Sequence, residues 1–165
     1  PLPVGEVGEV VAQGLSISPG YWNLPEATVE SQRNGWFHTG DLGRLDEQGY
    51  LTIVDRAKDM IIVGGENVYP REIELALATH PDVTDCAVIG IPHPVWGEEV
   101  LAFVAQKPDA HFEPRALIAH CRQLLARYKC PTRVELLPAI PRNAAGKIEK
   151  AHLREPYWAG QHKKV

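Results

Sequence analysis

Two side chains stand out for the chemistry their settings could support. Lys147 ends the run Pro141-Arg142-Asn143-Ala144-Ala145-Gly146-Lys147. Gly146 lets the backbone turn where a Cβ would clash. An ammonium on a long stem just after such a turn is suited to meeting a phosphate or carboxylate as a point charge. A lysine opening a surface helix is the plainer alternative. Asp41 ends Gly35-Trp36-Phe37-His38-Thr39-Gly40-Asp41 and precedes Leu42-Gly43. That setting predicts a tight turn with an exposed carboxylate, able to accept hydrogen bonds from two vicinal hydroxyls as acidic residues do for ribose. A turn-capping aspartate is the competing reading.

A third segment runs from Asp55-Arg56-Ala57-Lys58-Asp59 through Met60-Ile61-Ile62-Val63 to Gly64-Gly65-Glu66-Asn67-Val68-Tyr69-Pro70. Dense charge is followed by a short apolar strand and then two glycines. Such a turn lets a ligand pass close to the backbone; a solvated linker and a plain hairpin also fit. No Walker-type lysine follows the glycines and no GxGxxG occurs. His38, His93, His111 and the other histidines lack metal-ligand spacing, so no metal site is expected.

The elements that must position these residues fall into two groups. Up to about residue 54, frequent glycines punctuate short segments such as Glu9–Ala12 and Tyr50–Val54, a pattern of strands and turns, with Asp46-Glu47-Gln48-Gly49 as a hairpin turn. Beyond residues 55–59 the pattern mixes helices and strands. Pro70 suits the first position of a helix that carries Ile73, Ala76, Leu77 and His80 and stops at Pro81. Residues 83–91, 99–106 and 133–137 read as strands. Pro114 opens a second helix with Leu117, Ile118, Cys121, Leu124, Leu125 and Tyr128 on one face. A last helix is expected from Lys147 to about Glu155, followed by a frayed tail with Lys163-Lys164.

The fold class expected is therefore α+β. Its parts are a glycine-rich β segment over 1–56, a small mixed domain over 57–155 with a β-hairpin and a central sheet flanked by helices, and a tail over 156–165. A chain of 165 residues with 44% apolar and 23% charged side chains has a globular composition. Its net charge of −4 argues against a nucleic-acid surface, and no apolar run reaches the length of a membrane span. Cys86, Cys121 and Cys130 lack paired spacing and read as buried small hydrophobes of a reducing compartment. The start, Pro1-Leu2-Pro3-Val4-Gly5, reads as the interior of a longer protein.

The three segments together resemble the adenylate-forming superfamily of acyl-CoA synthetases, firefly-type luciferases and peptide-synthetase adenylation domains. The stretch from Gly8-Glu9-Val10 through Gly20-Tyr21-Trp22 looks like a further family motif, and so does Trp96-Gly97-Glu98-Glu99, so the resemblance covers nearly the whole chain. It implies the end of a large N-terminal adenylating domain followed by the mobile C-terminal domain of an AMP-forming acyl-CoA ligase. The missing N-terminal domain, ATP with Mg²⁺, AMP, CoA and a carboxylic acid are the implied partners and cofactors. Residue by residue, it implies that Lys147 is the adenylation lysine, that Asp41 and Arg56 bind the nucleotide, that Lys58 is the hinge, and that Gly64, Gly65 and Glu66 line the path of the pantetheine arm. Asn143, Ala145 and Lys150 depart from the commoner residues at their positions. The expected setting is cytoplasmic, with peripheral membrane association if the acid is long-chain. The family's phosphate loop is not found, so this chain alone is expected to be inactive. A carrier-protein-loading adenylation domain and a non-catalytic binding module are the alternatives.

Overall fold

The computed structural model describes residues 2–110 and 113–160; His111 and the tail lysines lie outside this range. The fold class is α+β. The chain divides into two compact units, Pro1–Lys58 and Asp59–Val165.

The first unit is a four-stranded antiparallel sheet. Its strands are β1 (Gly8–Ala12), β2 (Gln32–Arg33), β3 (Trp36–Leu45) and β4 (Leu51–Arg56), and β3 pairs with each of the other three. The expected β3–β4 turn forms because the Asp46 carboxylate accepts the Gln48 and Tyr50 amides at 3.0 and 2.8 Å, while Gly49 takes φ +84°. One element adds to the expected strands and turns. Helix α1 (Pro25–Ser31) begins with a proline at its first position. It buries no residue, so no apolar stripe announces it in the sequence.

The second unit is built on a five-stranded sheet of β5 (Ile61–Val63), β6 (Glu66–Val68), β7 (Val83–His93), β8 (Gly97–Gln106) and β9 (Arg133–Leu136). β7 and β8 form a long antiparallel ribbon, and β9 joins β8 in parallel. Both ribbon strands read as continuous apolar runs because both of their faces are buried. On one face Cys86, Val88, Val100, Ala102 and Val104 pack with Ile73 and Leu77 of α2 (Pro70–Ala78) and with Leu117 and Cys121 of α3 (Pro114–Leu124). On the other, Ala87, Ile89, Leu101 and Phe103 pack with Leu153 and Tyr157 of α4 (Lys150–Trp158).

Three helices differ in extent from expectation. α2 ends at Ala78, short of His80. α3 stops at Leu124, and Tyr128 belongs to a separate 3-10 turn, Arg127–Lys129. α4 starts at Lys150 rather than Lys147 and runs on through Trp158, into residues expected to be tail. Its far end is held because the Trp158 indole N–H donates to the Gly90 carbonyl at 3.0 Å and the Tyr157 hydroxyl donates to Glu135 at 2.9 Å.

β7 pairs with β8 alone and is an edge strand. Side chains meet its outer backbone groups. Glu74 Oε1 accepts the Val88 amide at 3.0 Å, Asp85 Oδ1 accepts the Cys86 amide at 2.9 Å, and Trp158 covers the Gly90 carbonyl.

Candidate functional site

In the first unit the structure brings Asp41 and Arg56 together. They are cross-strand partners on β3 and β4, with Arg56 Nε 3.0 Å from Asp41 Oδ1 and a second guanidinium nitrogen donating to the Thr39 carbonyl at 3.1 Å. Asp41 thus lies inside a ten-residue strand and not on the expected tight turn. Gly40 adopts φ +71° without ending the strand, and the register shifts just beyond, between Leu42 and Gly43. The irregularity leaves the Asp41 side chain partly exposed, at 38%, and its amide accepted by the Thr39 hydroxyl at 3.0 Å.

Lys58 sits in the 3-10 turn Ala57–Asp59, where the two units divide. The next residue is anchored within the second unit, because Asp59 pairs with Arg154 of α4.

Gly64, Gly65 and Glu66 are together on the β5–β6 hairpin. Gly64 and Gly65 have φ +60° and +92°, the two-residue loop with both angles positive that suits a tight hairpin and selects glycine. A Cβ on Gly64 would come within 3.0 Å of the Trp96 ring, whereas one on Gly65 would meet nothing within 4 Å. The Gly64 amide donates to the Trp96 carbonyl at 2.8 Å, tying the hairpin to the β7–β8 turn.

A cavity of about 700 Å³ opens beside this hairpin. Gly64, Glu66, Trp96, Arg122, Arg127 and Tyr128 contribute to its lining. Trp96 lies 6.5 Å from His93, ring to ring and nearly parallel. A cavity lined by two exposed guanidiniums and two aromatic rings suits a phosphorylated, planar ligand. Sequence reasoning missed Arg122 and Arg127 and placed Tyr128 on the buried face of α3. No sequence signal marked the break after Leu124, because the apolar spacing continues in helical period through Tyr128.

Lys147 lies in an exposed loop before α4. The Asn143 side chain is the clasp of that loop: its oxygen accepts the amides of Ala145 and Lys147, each at 3.0 Å. Gly146 takes φ +77°, and its carbonyl accepts Arg142 Nη1 at 2.8 Å. Arg142 also reaches Asp85 of β7 at 2.7 Å. Among the described residues the Lys147 ammonium has no carboxylate partner.

The lysine loop and the glycine hairpin are therefore held at opposite ends of β7, one beside Asp85 and the other beyond His93. Extended strand at about 3.3 Å per residue separates those ends by roughly 25 Å. The three cysteines are buried and free. Burial, reinforced by the Glu74 and Asp85 carboxylates, pushes the Cys86 thiol from 9.0 up to about 12, and burial takes Cys121 up to about 11. These thiols are inert packing groups. Among the described residues no group of three His, Cys, Asp or Glu side chains could hold a metal ion, and no helix is long and apolar enough to cross a membrane.

Residues 72–147 match the model of the AMP-binding enzyme C-terminal domain family. The 2-succinylbenzoate–CoA ligase of Geobacillus kaustophilus is 47% identical over 93% of this chain, which spans 31% of that enzyme. The fatty acid–[acyl-carrier-protein] ligase ScoC of Streptomyces coeruleorubidus is 46% identical over 99% of the chain and 32% of its own length. Among solved structures, ATP-bound MatB from Rhodopseudomonas palustris superposes with a TM-score of 0.89 at 40% identity, over 98% of this chain and 32% of that one. The chain spans about a third of the length of these relatives. Residues 72–147 belong to the AMP-binding enzyme C-terminal domain family, and the structural neighbours of the chain are adenylate-forming enzymes.

Proposed function

We propose that this chain is the C-terminal part of an AMP-forming acyl-CoA ligase, with residues 1–56 the end of its N-terminal adenylating domain and 57–155 its mobile C-terminal domain. The observation that carries the reading is the separation of two exposed loops along one rigid ribbon. Lys147 lies near one end and Gly64-Gly65 beyond the other, so a single site can receive them only in turn. A two-step reaction needs such alternation.

In the first step a carboxylate attacks the α-phosphate of ATP, forming an acyl-adenylate and releasing pyrophosphate. Lys147 would bridge the carboxylate and phosphate oxygens as negative charge develops there, so its ammonium acts more strongly in the transition state than in the ground state. Asp41 would accept the ribose hydroxyls, with Arg56 holding its free oxygen in place and reaching toward ribose or phosphate. Mg²⁺ would arrive with the ATP phosphates, and no residue of this chain is assigned to it.

Turning at Lys58 then withdraws Lys147 and brings in the hairpin. Gly65, open on its side-chain face, would leave room for the pantetheine arm between the backbone and the acyl-adenylate, with Gly64 and Glu66 beside it. The neighbouring cavity suits the nucleotide end of CoA, with Trp96 under the base and Arg122 and Arg127 at the phosphates. The thiol sulfur bonds to the acyl carbon, the bond from that carbon to the bridging oxygen breaks, AMP leaves with that oxygen, and the thiol proton is released.

Large apolar side chains stand exposed on the first unit, among them Leu15, Trp22 and Tyr50. They support its assignment as a piece of a larger domain, and with it the inactivity of this chain alone. The free, buried cysteines support a reducing, cytoplasmic setting.

The likeness to ScoC favours one second reading, in which the acceptor thiol belongs to a carrier protein. Both readings are tested in the full-length protein containing this sequence. Lys147→Ala should lower ATP–pyrophosphate exchange about 10²–10³-fold, and unaltered exchange rejects the adenylating role in favour of a binding module. Thioester formation with free CoA selects the first reading, and formation only with a carrier protein selects the second.

A further inference from the structure

The loop carrying Lys147 is exposed from Arg142 to Lys147, yet its catalytic use demands a fixed position. Its internal shape comes from the Asn143 clasp, from the bridge between Arg142 and Ile148, and from the Glu149 amide donating to the Pro141 carbonyl at 3.0 Å. None of these ties the loop to α2, and the Arg142–Asp85 pair that ties it to β7 is open to solvent, at 43% and 32%, where an ion pair is weak.

Three residues after Lys147, the first residue of α4 makes a different kind of contact. Lys150 Nζ lies 2.7 Å from Glu74 Oε1, with the two side chains only 14% and 8% exposed. The same oxygen accepts the Val88 amide of the β7 edge at 3.0 Å. One carboxylate on α2 thus holds both the edge strand and the start of α4, reaching around the sheet from one helical layer to the other. One turn later Arg154 pairs with Asp59, the residue after the hinge. Residues four apart lie on the same helix face, so a single face of α4 carries both anchors.

We propose that Lys150 and Glu74 are positioning residues for the adenylation half-reaction, fixing the root of the loop from which Lys147 acts. The proposal rests on the reading of Lys147 as the adenylation lysine. Removing the Lys150 charge strands a buried carboxylate and frees the start of α4, and a displacement of about 1 Å at a reacting group costs on the order of 100-fold in rate. The glycine hairpin, at the far end of β7, is untouched by this change.

The test uses the full-length protein and measures the two half-reactions separately: pyrophosphate release on mixing acid with ATP, and thioester formation from supplied acyl-adenylate and CoA. Lys150→Met and Glu74→Gln should each lower the first by about 10- to 100-fold and leave the second within about twofold, while Lys150→Arg restores the first. Glu74→Gln keeps an oxygen for the Val88 amide, and an intact second half-reaction shows that each variant is folded. Equal losses in both half-reactions would assign the pair a purely structural role and overturn the proposal, as would an unchanged first half-reaction. Lys147→Ala run in parallel separates two failures. If it is inactive in adenylation while Lys150→Met is not, only the positioning role falls; if it adenylates normally, the underlying reading falls and takes the positioning role with it.

Discussion

Arg56 meets Asp41 side by side across β3 and β4, Nε to Oδ1 at 3.0 Å, with a second nitrogen on the Thr39 carbonyl. The guanidinium therefore occupies one carboxylate oxygen and orients the other. A hydrogen bond to a charged group is worth about 1.5–3 kcal/mol, so under the proposed function Asp41→Ala in the full-length protein is expected to raise the KM for ATP by about 10- to 100-fold. Arg56→Lys, which keeps the charge and loses the fork, should raise it less. ATP-dependent pyrophosphate release measures both, and an unchanged KM in Asp41→Ala would remove the ribose assignment.

Gly65 offers a cleaner separation of roles. A side chain there meets no atom of the protein, and its cost to folding is the positive φ alone, about 1–2 kcal/mol. Gly65→Leu is expected to leave adenylation within about twofold and to abolish thioester formation, because its isobutyl group projects into the space assigned to the pantetheine arm. Single-turnover rates of the two half-reactions check this, and a fast thioester step would exclude that path for the arm.

Gly90 is required for packing instead. A Cβ on it would land on the Glu98 carboxylate and lie 2.9 Å from Ile61 Cγ2; Glu98 is only 5% exposed. Gly90→Ala is expected to destabilise the second unit by about 1–3 kcal/mol, the usual range for overpacking. Urea unfolding at neutral pH measures the loss.

The buried thiols set an alkaline limit. Cys86 and Cys121 are raised from 9.0 to about 12 and about 11. Well below pH 9.0 both are protonated whether folded or unfolded and contribute no pH dependence; as pH rises through that value the unfolded chain ionises first, so stability falls toward the folded values. Unfolding midpoints should drop between about pH 9 and 11, and Cys86→Ala should flatten that slope. Alkylation of these thiols by iodoacetamide at pH 8 should require denaturant.

Much of the second unit is legible in sequence because its signals are local. Pro70 marks the start of α2, Gly64-Gly65 marks the hairpin, and the apolar runs of β7 and β8 report burial on both faces. What escapes sequence reading depends on partners distant along the chain. Gly40 looks like a turn residue, yet β1 and β4 hold it inside a strand. Lys147 looks like a helix start, yet the Asn143 oxygen draws its amide into the loop, and the helix waits for Lys150, whose partner is 76 residues upstream. Arg122 and Arg127 carry no motif, and it is the end of α3 and the turn at Arg127–Lys129 that bring them to the cavity Trp96 also lines. Among the candidate residues, Gly64 and Gly65 were the most readable, since their backbone geometry admits few other residues.

The protected outer edge of β7 has a consequence for behaviour in solution. An open edge is a template on which another chain can add a strand and seed aggregation. Here Glu74 and Trp158 claim the Val88 donor and the Gly90 acceptor, so an incoming strand would have to displace a buried carboxylate and an indole before it could pair. Along the stretch from Val88 to Gly90 the outer edge of β7 is thereby closed to self-recruitment.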